Sequence, residues 1–466
     1  MSFSRRTFFA GAAAGVSVLI LSACEPDPVR PSPSITPPPS IAPTAVPAPA
    51  AVLRSTWGAD PFARGRHSYL ALGSAPEQRI TLRQAVGGRI FFAGEATADD
   101  DPGTVTGALA SGQRAAGQVD ALSVPGERMA VIGAGAAGAA AAAALAERGY
   151  EVTVIEARDR VGGRIASVVA DGWPVGVELG AGRFRSEADR DVLARLAASG
   201  TELATLSDSA ALVTPTGSPA DASEAGADAL AGAIRWAADR PADVDVSEAL
   251  DGSGADGLAT GAPPAPADYL GLELRQRITQ AVGAEPSTLS SWYGLDTIPE
   301  PPDRIALGGT VGLVDELLDS LTVWLSTAVL SISRTDDAVS LRLGTGESVT
   351  FDRVIVTVPL GVLKAQAIDI DPPLPFDQRT AIDELGFGTV ETVWVRFDSA
   401  FWSTDAVQWS VLGSDFIVTD WINLLPLTGE AVLVGIVGGE AATAMSALSD
   451  GELREALLDS LAPFVG

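Results

Sequence analysis

The residues of this chain best suited to chemistry lie in a glycine-rich turn between a predicted strand and a predicted helix. The apolar run at residues 129–132 leads into Gly133, Gly135 and Gly138, and an alanine-rich helical stretch follows. Glycines at this spacing let the backbone approach a pyrophosphate at the amino end of a helix. Glu156 ends the next apolar run, where a carboxylate can accept hydrogen bonds from a ribose. The spacing therefore predicts a dinucleotide site.

The residues after Glu156 indicate which dinucleotide is expected. They read ARDRVGGR and include Arg158, Gly163 and Arg164. This stretch resembles the second phosphate-contacting segment of the flavin amine oxidase superfamily, in which the glycine pair approaches the pyrophosphate and the arginine neutralises it. The resemblance implies FAD. A surface turn with scattered arginines is the alternative interpretation.

The residues upstream of the glycine turn resemble the last segments of the same family. They are the WGADPFARG segment at 57–65, the RIFFAGEAT segment at 89–97, and residues 102–112. In family members the carboxylate of the Ala-Gly-Glu element, here Gly94 and Glu95, lies near the ribityl chain of the flavin. A helix that begins near Thr104 and Val105 would place its positive dipole and free N–H groups at the flavin C2 carbonyl, which stabilises the anionic reduced flavin.

The family segments occur once each but in rotated order. The last residues of the chain, 461–466, would run directly into the segment at 57–65 in the family. We interpret this order as a circular permutation, with residues 123–126 as the new connection. Permutation is tolerated where the original termini lie close together on the surface. A gene-model or recombination artefact is the rival explanation.

These segments predict an α/β fold, with a Rossmann-like FAD-binding domain and an α+β substrate domain of the amine oxidase type, circularly permuted. The FAD-binding domain is expected at residues 127–186 and 301–360, completed by residues 51–122. The substrate domain is expected at residues 187–300 and 361–466. Val329 lies in a strand-like run, and the resemblance implies that the backbone at this position pairs with the adenine edge.

The resemblance also identifies positions that would face the substrate. Amine oxidation in this family moves a hydride to flavin N5. Many members also have a lysine that holds a water near N5, and two aromatic rings that flank the substrate nitrogen. Matching the segments places Thr392 at the lysine, and His67 and Asp101 at the aromatic positions. Arg66 stands where some relatives carry the cysteine that bonds to FAD, so non-covalent FAD is expected. Lys364, the chain's lysine, is expected to be a solvated residue.

His67 is the sole histidine of the sequence. A histidine can titrate near neutral pH, which would suit a residue beside a flavin. The ordinary alternative is a solvated histidine in a loop.

Arg183 lies in the segment ELGAGRF, at residues 178–184. This segment resembles the variant found in L-amino acid oxidases, where an arginine binds the substrate carboxylate. A planar guanidinium fits a carboxylate in bidentate fashion. The alternative is an arginine that pairs with the flavin or with a structural acid such as Glu178.

The first fifty residues predict export. Arg5 and Arg6 precede an apolar stretch, as in a twin-arginine (Tat) signal, and LSAC at 21–24 resembles a lipobox that would leave Cys24 as the acylated first residue. Residues 1–24 are the expected signal, and the proline-dense residues 25–50 an extended linker. We therefore expect a lipoprotein on the outer face of the cell membrane, held by its lipid anchor. An uncleaved apolar helix is the alternative.

The predicted function follows from the site and from the charge. A formal charge of −28 argues against nucleic-acid binding. We predict an FAD-dependent oxidase that converts an amine or L-amino acid to an imine, with O2 reduced to H2O2. Two alternatives stay open: a flavin desaturase or isomerase, which would need an apolar substrate tunnel, and a catalytically degenerate flavin-binding lipoprotein.

Overall fold

The computed structural model describes residues 45–124, 126–207 and 209–465. The expected export signal, with Cys24, and most of the proline-rich linker lie outside the described residues. Among the helices that are described, none combines the length and apolar character needed to cross a membrane.

A parallel sheet, here called the dinucleotide sheet, carries the glycine turn. Four of its strands are mostly apolar and buried, as expected of strands that are covered on both faces, and the edge strand Thr322–Trp324 is partly exposed. Every neighbouring pair in it is parallel. The strands lie in the order Thr322–Trp324, Glu151–Ile155, Arg128–Ile132, Arg353–Val356 and Ile90–Phe92.

Residues upstream of the glycine turn complete this sheet. Strand Ile90–Phe92 pairs with Arg353–Val356 at the sheet edge. Helix Val105–Asp120 packs closely on helix Ala136–Glu147, because a Cβ added at Gly112 would lie 2.1 Å from the carbonyl oxygen of Ala137. The segments before and after the glycine turn therefore share one hydrophobic core.

Arg353 fixes the short connection between these two segments. Its guanidinium donates to the carboxylate of Glu127 at 2.8 Å and to the backbone carbonyls of Gly88 and Leu122. The side chain is buried at the end of the sheet. One residue thus holds both ends of the connection against the dinucleotide sheet.

A second sheet, here called the substrate-side sheet, has two apolar faces, because successive side chains along each strand point to opposite faces. Ile422 and Ile436 lie on one face, and Trp409 and Trp421 pack into the core on the other. Its strands lie in the order Ala51–Arg54, Val390–Arg396, Val432–Gly438, Asp420–Asn423, Gln408–Val411, Ala210–Val213 and Pro219–Ala220.

Helices and smaller sheets surround these two layers. The helices are Pro76–Leu82, Arg190–Ala198, Ala225–Ala238, Val246–Ser253, Pro266–Leu274, Gln280–Val282, Gly312–Leu318, Leu360–Lys364, Phe376–Glu384, Leu425–Thr428, Gly439–Ala447 and Asp450–Leu461, with a π-helical turn at Arg275–Thr279. The smaller strands are His67–Tyr69, Ser167–Val168, Val177–Glu178, Arg183–Phe184, Leu203–Thr205, Arg304–Ala306, Val329–Arg334, Val339–Leu343, Ser348–Phe351, Asp369–Asp371 and Gly386–Gly388.

Lys364 is exposed, as expected of a solvated residue, and it also has a structural role. Its Nζ donates to the backbone carbonyls of Ile382, Asp383 and Leu385 at 2.7–3.0 Å. These carbonyls belong to the end of helix Phe376–Glu384, where carbonyls lack partners within the helix. The lysine therefore caps that helix.

Replacing Lys364 by methionine should destabilise the fold. The variant keeps an apolar stem of similar length but removes the three donors, so we expect the free energy of unfolding to fall by about 1 kcal/mol. Urea unfolding followed by circular dichroism measures the loss. Lys364→Arg, which keeps donors at this position, should lose less, and an unchanged unfolding midpoint for Lys364→Met would contradict the capping role.

Candidate active site

A cavity of about 830 Å3 is lined by residues of both sheets. Gly133, Gly135 and Glu156 line it from the dinucleotide sheet, and Ile422 and Ile436 from the substrate-side sheet. This volume lies within the range of small-molecule and cofactor sites. The cavity therefore joins the predicted dinucleotide turn to the predicted substrate region.

The three glycines of the turn meet different constraints. Gly133 has φ +107°, and a Cβ there would lie 2.6 Å from Oγ1 of Thr357. A Cβ at Gly138 would lie 1.9 Å from the carbonyl oxygen of Gly133, so this glycine permits close packing of helix on strand and does not line the cavity. Gly135 has ordinary extended backbone, and a Cβ there meets nothing closer than 3.7 Å. No protein atom excludes a side chain at Gly135, so the need for glycine there comes from a group that enters the cavity. A pyrophosphate fits this requirement.

Glu156 is held at the cavity wall by backbone groups. Its carboxylate accepts the N–H groups of Ala134 and Arg158, each at 2.8 Å. The Arg158 guanidinium donates to Asp60 at 2.8 Å, which ties the upstream segment to the turn. Gly163, with φ +59°, packs against Gly135 and lines the same wall. These residues surround the place where a dinucleotide ribose and phosphates are expected.

Glu95 forms an ion pair on the cavity wall with Arg164, at 3.0 Å. The same carboxylate accepts hydrogen bonds from Oγ of Ser68 at 2.6 Å and from the N–H of Gly103 at 2.9 Å. Burial would raise the pKa of Glu95, but Arg164, Arg79 and the Ser68 hydrogen bond together lower it below its usual value. Glu95 is therefore ionised, and Gly94 beside it also lines the cavity.

Helix Val105–Asp120 begins at the cavity, as predicted from the sequence. Thr104 caps it: its Oγ1 accepts the N–H of Gly107 at 3.0 Å and donates to the carbonyl of Asp101 at 2.7 Å. Thr104 and Val105 both line the cavity. The helix thus presents its positive dipole end to whatever occupies the cavity.

Asp101 does not line the cavity, contrary to the role expected for it. Its carboxylate accepts a hydrogen bond from Arg185 at 2.8 Å, and Arg185 also pairs with Asp189 at 3.0 Å. Asp189 in turn accepts from Oγ1 of Thr106 in the first turn of the helix. Sequence reasoning missed this network because Arg185 and Asp189 lie before helix Arg190–Ala198, where i,i+4 spacing does not by itself indicate an ion pair.

Thr392 is also outside the cavity lining. It lies on the same sheet face as Ile436, which does line the cavity, but its hydroxyl donates to the carbonyl of Leu179 at 3.3 Å and the side chain is buried. Glu391 beside it is fully buried, where it accepts from Ser55 and from the N–H of Gly58. Among the described residues, neither of these two side chains reaches the cavity to hold a water there.

His67 lines the cavity, but its pKa lies well below the near-neutral value expected of a histidine. Burial and the neighbouring Arg66 guanidinium lower the pKa of His67 to about 3. Nδ1 lies 3.0 Å from the carbonyl oxygen of Gly103, which can only accept, so Nδ1 carries the proton. His67 is therefore a neutral ring whose Nε2 is a hydrogen-bond acceptor.

The imidazole of His67 should stay neutral between pH 5 and pH 8. Because its pKa is lowered, the ring binds a proton only well below the pH at which a free histidine does so. Nitrogen NMR of histidine-labelled protein measures this directly, since the sequence contains one histidine. The unfolded protein in urea is the control and should titrate near pH 6.5. A folded-state midpoint above pH 5 would contradict the structure.

Arg183 lines the cavity beside Arg66. Its guanidinium makes no hydrogen bond or ion pair with any residue that the structure describes, and Glu178 instead accepts from Ser167 at 2.7 Å and from the N–H of Thr310 at 2.9 Å. Burial, and then the charge of Arg66, lower the pKa of Arg183. An anion that entered the cavity would relieve both costs.

Two further expected positions also line the cavity. Arg66 is buried and donates to the carbonyl of Gly180 at 2.8 Å. Val329 begins strand Val329–Arg334, and the register of its ladder with Val339–Leu343 shifts next to it. The predicted cofactor-binding residues and the predicted substrate-facing residues therefore all line the cavity, except Gly138, Asp101 and Thr392.

Comparison with known proteins places these features in a family. A family model described as flavin containing amine oxidoreductase matches residues 38–120 and 136–466, and one described as pyridine nucleotide-disulphide oxidoreductase matches residues 85–171. Polyamine oxidase 4 of Oryza sativa subsp. japonica is 27% identical over 361 residues, covering 71% of each chain. Probable polyamine oxidase 4 of Arabidopsis thaliana is 28% identical over 347 residues, covering 69% of this chain and 68% of its own.

Solved structures show the same fold at lower identity. Wild-type putrescine oxidase bound to putrescine is 22% identical with a TM-score of 0.58, covering 73% of this chain and 82% of the other. Cyclohexylamine oxidase from Brevibacterium oxydans is 20% identical with a TM-score of 0.58, and the coverage is again 73% and 82%.

Proposed function

Since the chain belongs to the flavin-containing amine oxidoreductase family, we propose that it is an FAD-dependent oxidase. It converts an amine or L-amino acid to an imine, with O2 reduced to H2O2. Bound FAD would supply the hydride acceptor for this chemistry. The observation that carries the proposal is a continuous cavity that includes the glycine turn, the amino end of helix Val105–Asp120 and Arg183, which pairs with no residue that the structure describes.

The residues on the dinucleotide side of the cavity fit FAD. Gly133 and Gly135 form a backbone cradle that a Cβ at Gly135 would enter, and this suits a pyrophosphate. Glu156 lines the same wall, where its carboxylate would accept hydrogen bonds from the ribose. Arg158 and Arg164 supply positive charge to the phosphates. In this proposal FAD is non-covalent, so denaturation of the yellow protein should release all of its flavin.

The residues on the substrate side favour an amine that carries a carboxylate. Arg183 is a cation without a partner among the described residues, and Arg66 lies close enough to lower its pKa. A bidentate carboxylate would satisfy Arg183. The neutral Nε2 of His67 can accept a hydrogen bond from the substrate amine. An L-amino acid is therefore favoured over an amine that lacks an acid group.

Peroxide release tests this function. Purified protein is mixed with L-amino acids and with simple amines, and both flavin bleaching without oxygen and H2O2 in air are measured. We expect a yellow protein whose flavin is reduced by amino acids and reoxidised by O2. A colourless protein, or a flavin that every amine leaves oxidised, would exclude the oxidase. Reduction without peroxide would indicate a different electron acceptor.

The chain order is proposed to be a circular permutation. The family model matches in two parts, and residues near both ends, Val46 and Val465, pack against the same hydrophobic cluster. A reordered gene that begins at residue 127 and attaches residues 45–122 after residue 465 should give a protein with the same affinity for FAD. A reordered protein that folds but does not bind FAD would contradict the permutation.

Export and lipid attachment are proposed from the first residues of the sequence. Cell fractionation should find the protein at the outer face of the membrane. Cys24→Ala should release it from the membrane, and Arg5→Lys with Arg6→Lys should retain it in the cytoplasm. Membrane attachment that survives Cys24→Ala would support an uncleaved apolar helix instead.

A further inference from the structure

A buried aspartate on the cavity wall, Asp420, binds two glutamines. The Asp420 carboxylate accepts hydrogen bonds from Oγ of Ser410 at 2.6 Å and Oγ1 of Thr419 at 2.7 Å. Arg275 pairs with it at 3.2 Å. Burial would raise the pKa of Asp420, but Arg275 and these hydroxyl groups lower it, so it is an ionised carboxylate that can only accept.

The amide nitrogens of Gln276 and Gln280 complete this arrangement. Nε2 of Gln276 donates to Asp420 at 3.1 Å and to Ser410 at 3.2 Å, and Nε2 of Gln280 donates to Asp420 at 2.8 Å. Because the carboxylate accepts only, both amides must turn their nitrogens toward it. Their carbonyl oxygens then accept from no residue that the structure describes, and both glutamines line the cavity.

The local backbone brings the two glutamines to one wall. Residues Arg275–Thr279 form a π-helical turn between helix Pro266–Leu274 and helix Gln280–Val282. Such turns are rare and are often found at functional sites. The two glutamines connect this turn to strands Gln408–Val411 and Asp420–Asn423 of the substrate-side sheet by their hydrogen bonds to Ser410 and Asp420.

The charged side chains beside the glutamine pair form ion pairs. Asp420 is paired with Arg275, and Glu273 lies 3.8 Å from Arg277 on the same helical segment. Both Glu273 and Arg277 line the cavity. The feature that distinguishes this wall is therefore a pair of fixed acceptors, and its natural ligand is a group that offers N–H donors.

We propose that Gln276 and Gln280 bind an N–H-bearing group at the non-reacting end of the substrate, and that Asp420 is the residue that positions them. This inference rests on the proposed oxidase function and adds a specificity site to it. The shared chemistry is that of an amide or an ammonium group. Asp420 also lines the cavity, but both of its oxygens already accept hydrogen bonds from neighbouring side chains, so in this proposal it acts through the glutamines.

Matched ligands test the glutamine pair. L-Norleucine offers no donor in its side chain, L-lysine offers an ammonium, and L-glutamine an amide. Hexylamine and 1,6-diaminohexane form the corresponding pair without a carboxylate. Dissociation constants are measured by calorimetry without oxygen on FAD-loaded protein whose flavin has first been reduced by dithionite, so that no ligand is oxidised. We expect a donor-bearing ligand to bind about 10-fold or more tightly than its partner without the donor.

Variants separate this role from a general effect on folding. Gln280→Met removes one acceptor, and Asp420→Asn lets the amides rotate because asparagine can also donate. Both should reduce the donor preference toward equal binding, through KM rather than kcat. Gln113→Leu, at an exposed position of helix Val105–Asp120 outside the cavity, is the control and should keep the preference.

The outcomes distinguish this inference from the proposed function. If no amine or amino acid reduces the flavin, the oxidase function fails, but the binding constants still report on the glutamine pair. Equal binding within both ligand series, absence of binding by every donor-bearing ligand, or a preference that survives Gln280→Met and Asp420→Asn would overturn the inference. A preference for lysine over glutamine would assign the site to ammonium groups, and the reverse to amides.

Discussion

Gly135→Ala is expected to weaken FAD binding about 100-fold while the apoprotein keeps its stability. The added methyl would meet only ordinary contacts with Gly162 and Gly163 at 3.7 and 3.9 Å, so the folded backbone accommodates it. It would however occupy the cradle that the pyrophosphate needs. Overpacking at a tight contact costs about 1–3 kcal/mol, which corresponds to roughly 5-fold to 150-fold in affinity. Flavin titration of the apoprotein measures the dissociation constant.

Gly117→Ala is the matched control for this prediction. Gly117 lies in helix Val105–Asp120, and a Cβ there meets nothing within 4 Å. Alanine should therefore keep FAD affinity and stabilise the helix by about 0.5–1 kcal/mol. If Gly135→Ala binds FAD as tightly as the unmodified protein, the cofactor does not pass over this turn.

Arg183→Met should divide the substrates into two classes. For L-amino acids, kcat/KM should fall about 100-fold or more, because removing one partner of a buried charge pair costs about 2–5 kcal/mol. For simple amines, kcat/KM should be unchanged or higher, because a cation next to Arg66 would be removed from the cavity. Steady-state kinetics with L-norleucine and hexylamine measure both effects.

The conservative variant sharpens this prediction. Arg183→Lys keeps the charge but loses the planar pair of donors, so it should recover part of the activity on amino acids. An equal loss on amino acids and simple amines would point to a structural role for Arg183. No loss on either would exclude it as the carboxylate site.

Local sequence pattern predicted the dinucleotide side of the molecule well. The strand at Arg128–Ile132, the glycine turn and the helix Ala136–Glu147 follow from residues that are neighbours in the chain. The alternating apolar and polar residues at 339–343 likewise predict a strand, and Val339–Leu343 is one. The apolar residues after the glycine-rich run at 308–312 predict a helix over residues 314–321. The observed helix, Gly312–Leu318, ends earlier because the chain then becomes extended and Thr322–Trp324 pairs with Glu151–Ile155.

The substrate side depended on contacts between distant residues, which the sequence does not display. Thr392 lies on the expected sheet face, yet the carbonyl of Leu179 binds its hydroxyl. The pKa of His67 depends on burial and on Arg66, and neither effect follows from a motif. The glutamine pair needs Asp420, which lies on a strand far along the chain. No local spacing could have joined these groups.

Strand Ile90–Phe92 has a consequence for the order of synthesis. It pairs with Arg353–Val356, so the first-made strand of the dinucleotide sheet finds its neighbour only after most of the chain has left the ribosome. Until then its edge is open and apolar, and such edges favour aggregation. The nascent chain would therefore depend on a chaperone more strongly than a relative in which adjacent strands emerge in succession.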